Sequence, residues 1–186
     1  MEGKMSKSYI YYDNKIQAED EIKFSIRNKV LNYGLGCFEG IRAYWDEKSN
    51  QLYIFRMKDH YKRLLDSCKT LSINIPYTVQ DLCDITVEVL RKNEFKTTAY
   101  IRPLAYKSSI NVAPSLSDND NSFLLYAIPL GSFTGKDELH TCITSWKRLN
   151  SNMLPAKTKA TAAYQEQKST QWMKHSLQVP QWKLQL

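Results

Sequence analysis

The hydrophobic period of this chain changes twice, and that change limits its fold more than any other feature. From Met57 onward, Tyr61, Leu64, Leu65, Cys68 and Leu71 recur at the i, i+3, i+4, i+7 spacing of one helix face. Pro76 interrupts the pattern. Thr78, with Asp81 three residues on, then has the form of an N-cap and its reciprocal partner. Leu82, Val87 and Leu90 fall in a second helix predicted to end near Lys92–Asn93. On either side the residues read as strands: Tyr9–Gln17 as two short ones about an Asp13–Asn14 turn, then Phe38–Trp45 and Gln51–Phe55 joined by the polar turn Glu47–Asn50. After the helices come Thr98–Tyr106, Ser122–Pro129 and His140–Trp146, with Ser115–Asn121 as a polar loop. Strands, two helices and strands again predict an α+β fold, a sheet with a helical layer on it.

Composition narrows the class. The 186 residues are 42% hydrophobic and 24% charged, which excludes a disordered or collagen-like chain. No apolar run approaches a membrane-spanning length, and Met1–Lys7 lacks the apolar segment of a secretory signal. Cys37, Cys68, Cys83 and Cys142 are scattered without a C-x-x-C pair. They read as reduced thiols of a cytoplasmic protein, with no zinc or other metal site. A net charge of +7 suits acidic ligands, but the lysines are dispersed and no aromatic-basic repeat or helix-turn-helix pattern accompanies them. We therefore expect no nucleic-acid partner and no membrane partner.

Gly131–Glu138 has linker composition. The expected division is residues 1–130 as an N-terminal small α+β domain, 131–139 as a linker, 140–165 as the start of a second domain and 166–186 as a divergent, glutamine-rich tail. The stretch after the linker, about fifty residues, is too short to bury a core of its own. The tail has no clear period, and a loose helix is one option for it.

Three local patterns are candidates for chemistry. In Asn32-Tyr-Gly-Leu-Gly-Cys-Phe-Glu-Gly-Ile-Arg42, the glycines permit positive φ or close backbone approach, and Tyr33 and Phe38 can wall a pocket. The same run also reads as a glycine-rich turn entering a strand. In His60-Tyr-Lys-Arg63-Leu64, Arg63 neighbours the apolar stripe and can grip a phosphate with forked hydrogen bonds, or stand as a surface arginine. In Tyr100-Ile-Arg102-Pro103, the two-residue strand period puts Tyr100 and Arg102 on one face, where they can line an anionic pocket or cap a sheet edge.

Taken in order, these runs resemble the branched-chain amino-acid aminotransferases, class IV enzymes of pyridoxal-phosphate fold type IV. Tyr33-Gly34, Phe38-Glu-Gly-Ile-Arg42, His60-x-x-Arg63-Leu64, Tyr100-Ile-Arg102-Pro103, Ser145-Trp-x-Arg148 and Pro155-x-x-x-Lys159 followed by Tyr164 carry the likeness over about residues 7 to 165. The Phe38–Arg42 form favours the branched-chain enzymes over the related D-amino-acid aminotransferases and aminodeoxychorismate lyases. The resemblance implies the small domain of that fold followed by an incomplete large domain. It implies that Lys159 tethers pyridoxal 5'-phosphate and moves the substrate proton, that Arg63 binds the cofactor phosphate, and that Tyr164 bonds the ring oxygen. Tyr33, Phe38, Gly40, Tyr100 and Arg102 are implied to form the substrate pocket, some of them across a homodimer interface. The implied reaction is amino transfer between leucine, isoleucine or valine and 2-oxoglutarate, so the implied partners are branched-chain amino acids and 2-oxo acids. Lys157 lies two residues from Lys159, and only the proline spacing and the following tyrosine distinguish them. Phe133 stands where relatives often carry tyrosine.

After Tyr164 the family's acidic partner for the pyridine nitrogen and its phosphate-binding amides are not found. This predicts low activity and little cofactor binding by the chain alone, or else a non-catalytic form that pairs with the full-length enzyme. Translated one base out of frame, the codons of Trp172-Met173, Met173-Lys174 and Trp182-Lys183 force Asp, Glu and Glu. Their spacing fits a late segment of the family, so a change of reading frame is the expected origin of the tail.

Overall fold

The computed structural model describes residues 7–131, 138–141, 150–164 and 182–185. Strands β1 (Tyr9–Tyr12) and β2 (Lys15–Ala18) pair antiparallel about Asp13 and Asn14, both at positive φ, as the tight turn requires. A short helix, α1 (Lys29–Tyr33), comes next, capped by the Asn28 side chain and ended by Gly34 at φ 66°. No element is predicted over Lys29–Leu31 from sequence; five residues are too few for a period to show. Strands β3 (Gly36–Phe38), β4 (Ile41–Asp46) and β5 (Gln51–Ile54) come next, then helices α2 (Met57–Thr70) and α3 (Val79–Asn93), and then β6 (Ala99–Lys107) and β7 (Asn121–Pro129). The predicted cap is present in full: Asp81 N–H donates to Thr78 Oγ1 at 3.2 Å, and Thr78 N–H donates to Asp81 Oδ2 at 2.7 Å.

The main sheet is seven-stranded and antiparallel, in the order β2-β1-β7-β6-β4-β5, with β3 also on β6. Phe38–Trp45, expected as one strand, is broken at Glu39–Gly40. Its halves pair with successive parts of β6, Phe38 opposite Leu104 and Ile41 opposite Ile101. At the break Glu39 N–H donates to the Pro103 carbonyl at 3.0 Å. A residue's amide and carbonyl point the same way in a strand, so the donor that Pro103 lacks would have faced this gap, where the ladder can spare it.

One sheet face packs on α2 and α3. Ile41, Ala43, Ala99, Ile101, Ala105, Leu125 and Ala127 meet Tyr61, Leu64, Cys68, Leu82 and Val89 there, all buried. The alternate strand residues, among them Arg42, Tyr44, Tyr100, Arg102 and Ile128, are half-buried or exposed. Two further strands, β8 (Glu138–Thr141) and β9 (Trp182–Gln185), pair antiparallel. The first begins inside the stretch expected as linker, and the second replaces the loose helix considered for that part of the tail. Phe133, Cys142 and the Ser145–Arg148 run lie outside the described residues, as does most of 166–186.

Candidate active site

The site begins at the β3–β4 break. Strand alternation turns Cys37 and Glu39 toward α2, and Phe38 and Gly40 toward the opposite face. Onto this break docks the segment Asn150–Tyr164, which ends in a 3-10 turn at Thr161–Tyr164. Cys37 and Ala160 form an antiparallel bridge, Phe38 N–H donates to the Lys159 carbonyl at 3.1 Å, and Lys159 N–H donates to Ser67 Oγ of α2 at 3.1 Å. Thr161 Oγ1 bonds the Gly34 carbonyl and lies 3.1 Å from that of Gly36. Ala162 packs so closely on Gly34 that a Cβ there would sit 3.1 Å from its methyl. The lysine-bearing segment is thus fastened by its backbone to the N-terminal sheet.

That fastening separates the two lysines. Lys157 is exposed; Lys159 is half-buried between buried Thr158 and Ala160. The Lys159 amine donates to the Tyr164 hydroxyl at 2.6 Å and stands 5.0 Å from the Phe38 ring centroid. The Phe38 and Tyr164 rings are themselves 5.0 Å apart. Arg102 also lies over Phe38, its guanidinium carbon 4.4 Å from the ring centroid, and donates to the Tyr100 hydroxyl at 2.7 Å. Gly40 leaves room for that phenol, since a Cβ would come within 2.5 Å of it. Lys159, Tyr164, Phe38, Gly40, Tyr100 and Arg102 therefore form one continuous cluster.

Arg63 joins it from beneath. Its Nε and Nη2 donate to the two oxygens of Glu39 at 2.6 Å each, and His60 Nδ1 lies 2.9 Å from Glu39 Oε2. Burial alone would push the Glu39 carboxyl up. Hydrogen bonds from Arg63 and His60, with their charge, outweigh it and hold the group below its ordinary value. The Arg63 guanidinium is held above its usual range, first by the Glu39 hydrogen bond, with a smaller contribution from the Tyr164 phenol. Phe55, Arg56, Asp59, His60 and Arg63 line a shallow depression beside it. Tyr33 is placed differently: its hydroxyl donates to the Val112 carbonyl. Sequence reasoning misses Glu39 and Ser67 as parts of this site. Strand alternation from Phe38 is the available signal for Glu39; nothing in the sequence marks Ser67.

Comparison with known proteins is decisive for the family. The family model described as amino-transferase class IV matches residues 36–174, most of the chain. The chain belongs to the class IV amino-transferases. Among class IV relatives, the probable branched-chain-amino-acid aminotransferase of Aquifex aeolicus is 36% identical over 160 residues, covering 86% of this chain and 51% of its own length. That of Synechocystis is 31% identical, over 83% of this chain and 50% of its own. The branched-chain aminotransferase of Thermoproteus uzoniensis, solved with norvaline, superposes with a TM-score of 0.79 at 38% identity, covering 86% of this chain and 53% of that one. The branched-chain amino acid aminotransferase of Thermobaculum terrenum, solved in its PLP-form, superposes at 0.79 with 29% identity, over 91% and 56%. The chain spans about half the length of the relatives it matches. The class IV match runs to residue 174, beyond the end near residue 165 expected from the motifs. No described helix is long and apolar enough to cross a membrane.

Proposed function

We propose that this chain carries the lysine-bearing half of a pyridoxal-phosphate-dependent branched-chain amino-acid aminotransferase, moving the amino group of leucine, isoleucine or valine to 2-oxoglutarate. The observation that carries the reading is the Lys159 amine, half-buried, bonded to Tyr164 at 2.6 Å and set beside the Phe38 ring, which the Arg102 guanidinium also overlies. The donor set fits the cofactor: an amine for its aldehyde, a phenol for its ring oxygen and a guanidinium for its phosphate. Lys159 and Tyr164 would hold the ring end and Arg63 the phosphate. Bound there, pyridoxal phosphate supplies the electron sink that lets the substrate α-carbon release its proton.

The chain's own groups do the rest. The Lys159 amine is the base nearest that carbon and can carry the proton away and return it. Tyr164 keeps the amine aimed. Arg102, anchored on Phe38 and Tyr100, offers a forked donor for the substrate carboxylate, and the Phe38 ring gives an apolar side chain a wall. The same reading assigns residues 131–139 to an interdomain linker and 140–165 to the start of the cofactor domain. It makes the assembly a homodimer: Leu31, Tyr33 and Val112 are exposed around α1, and Tyr33 reaches Val112 within one chain. A cytoplasmic setting agrees with the free thiols of Cys37 and Cys68, 3.4 Å apart and unpaired.

The test is selective labelling. Incubation with pyridoxal 5'-phosphate, reduction with borohydride and peptide mass analysis should place the phosphopyridoxyl group on Lys159 ahead of every other lysine. Labelling spread evenly, or centred on Lys157, would remove the proposal. Trapping makes the experiment informative even where affinity is low.

A further inference from the structure

We infer that Glu39 is a positioning residue, whose task is to hold Arg63 in the orientation that receives a phosphate. The inference rests on the cofactor reading above for the identity of the phosphate, but its geometry stands alone. The Glu39 side chain is 0% exposed, whereas that of Arg63 is 49% exposed. The inward partner is thus wholly enclosed and the outward partner is presented to solvent. Arg63 uses its Nε and Nη2 on the carboxylate, a side-on fork that fixes the plane of the guanidinium and leaves Nη1 directed away from the pair. A half-exposed arginine without that fork would distribute over many rotamers.

A pair that served packing alone would be replaceable by apolar side chains, because enclosing a carboxylate is costly unless both its oxygens are hydrogen-bonded. Here they are: His60 Nδ1 takes the remaining place on Oε2 at 2.9 Å. Glu39 is itself held by its amide on Pro103, between Phe38, which touches the Lys159 amine, and Gly40, which accommodates Tyr100. One backbone break therefore sets the aromatic wall on one face and the aim of the guanidinium on the other.

The experiment uses the full chain and inorganic phosphate as probe. The Arg63 Nε–H resonance, assigned by its loss in Arg63→Lys, is followed during a phosphate titration in the parent and in Glu39→Gln, with thermal melts of both. The expected result is a saturable shift in the parent and about a tenfold higher half-saturation in Glu39→Gln, the scale seen when a group that orients a direct binding partner is removed. A role in the fold alone predicts a lower melting temperature with unchanged phosphate dependence. That outcome overturns the inference, as does a parent resonance that phosphate does not move. Should Glu39→Gln fail to fold, Glu39→Asp, which keeps the charge but withdraws it by one methylene, is judged by the same half-saturation. Borohydride labelling separates the two readings. A phosphate effect without labelling of Lys159 sinks the cofactor and keeps Glu39. Labelling without the phosphate effect does the reverse.

Discussion

The two faces of the main sheet are built from alternate residues of the same strands, yet they obey different rules. On the face covered by α2 and α3, Ile41, Ala43, Ile101 and Leu125, with Leu64 of α2 packed against them, are fully removed from water and carry no polar side-chain atoms to satisfy. On the other face guanidinium stacks on ring, Arg42 over Tyr44 and Arg102 over Phe38, and Arg102 also donates to the Tyr100 hydroxyl. The first face supplies stability. The second, relieved of that task, keeps its functional groups accessible.

The contrast can be broken most strongly on the covered face. Leu64→Ala should cost about 2–5 kcal/mol, read by urea denaturation, because the neighbouring sheet and α3 cannot collapse onto the void. A loss below about 1 kcal/mol would show that this face is not the stabilising one.

A sharper comparison uses two glycines at the start of the β3–β4 run. A Cβ on Gly36 meets Val30 Cγ2 at 2.9 Å and the Ala105 carbonyl oxygen at 3.2 Å, so Gly36→Ala should destabilise by about 1–3 kcal/mol. The nearest atoms to a Cβ on Gly40 are at the far end of the Tyr100 ring. Gly40→Ala should stay within about 1 kcal/mol of the parent while displacing the phenol from Arg102. Melting measurements, with the Tyr100–Arg102 separation checked in a crystal structure, distinguish the two. Both glycines lie on the second face, so equal losses would show that this face tolerates a clash with backbone no worse than a displaced phenol.

Thr78→Ala removes half of the capping box of α3 and should cost about 1 kcal/mol, measured by denaturant midpoint at constant slope. The smallest effect at neutral pH is a slope. Glu39 is held below its ordinary value in the fold, so the unfolded chain binds its proton first as pH falls. The stabilisation is present above the unfolded value, about 4.3, and is lost as pH drops through the folded one. Stability measured across that window should fall more steeply in the parent than in Glu39→Gln. Parallel curves would mean that Glu39 gains nothing from Arg63 and His60.

Much of the fold and site is legible along the chain, for identifiable reasons. The helices at Met57–Thr70 and Val79–Asn93 show a repeated apolar face and a capping pair. The hairpin at Asp13–Asn14 rests on turn residues that tolerate positive φ. Tyr100 and Arg102 share a face because strand period is local information. The helix Lys29–Tyr33 escapes such reading because so short a segment carries no repeat to detect. The break at Glu39–Gly40 escapes it because β3 and β4 differ only in which half of β6 they pair with.

The sequence by itself determined the α+β class and the buried stripe of each helix, since period and capping are properties of neighbours along the chain, whereas the candidate residues from Phe38 to Tyr164 rest on a resemblance carried by several short motifs in order. Only the tertiary structure decided that Lys159 rather than Lys157 turns inward, that Ser67 secures its backbone, and that Arg63 reaches the cluster through Glu39. Each of these joins segments far apart in the chain, and such contacts depend on how the sheet, its break and the docked segment meet in space, which no local pattern encodes.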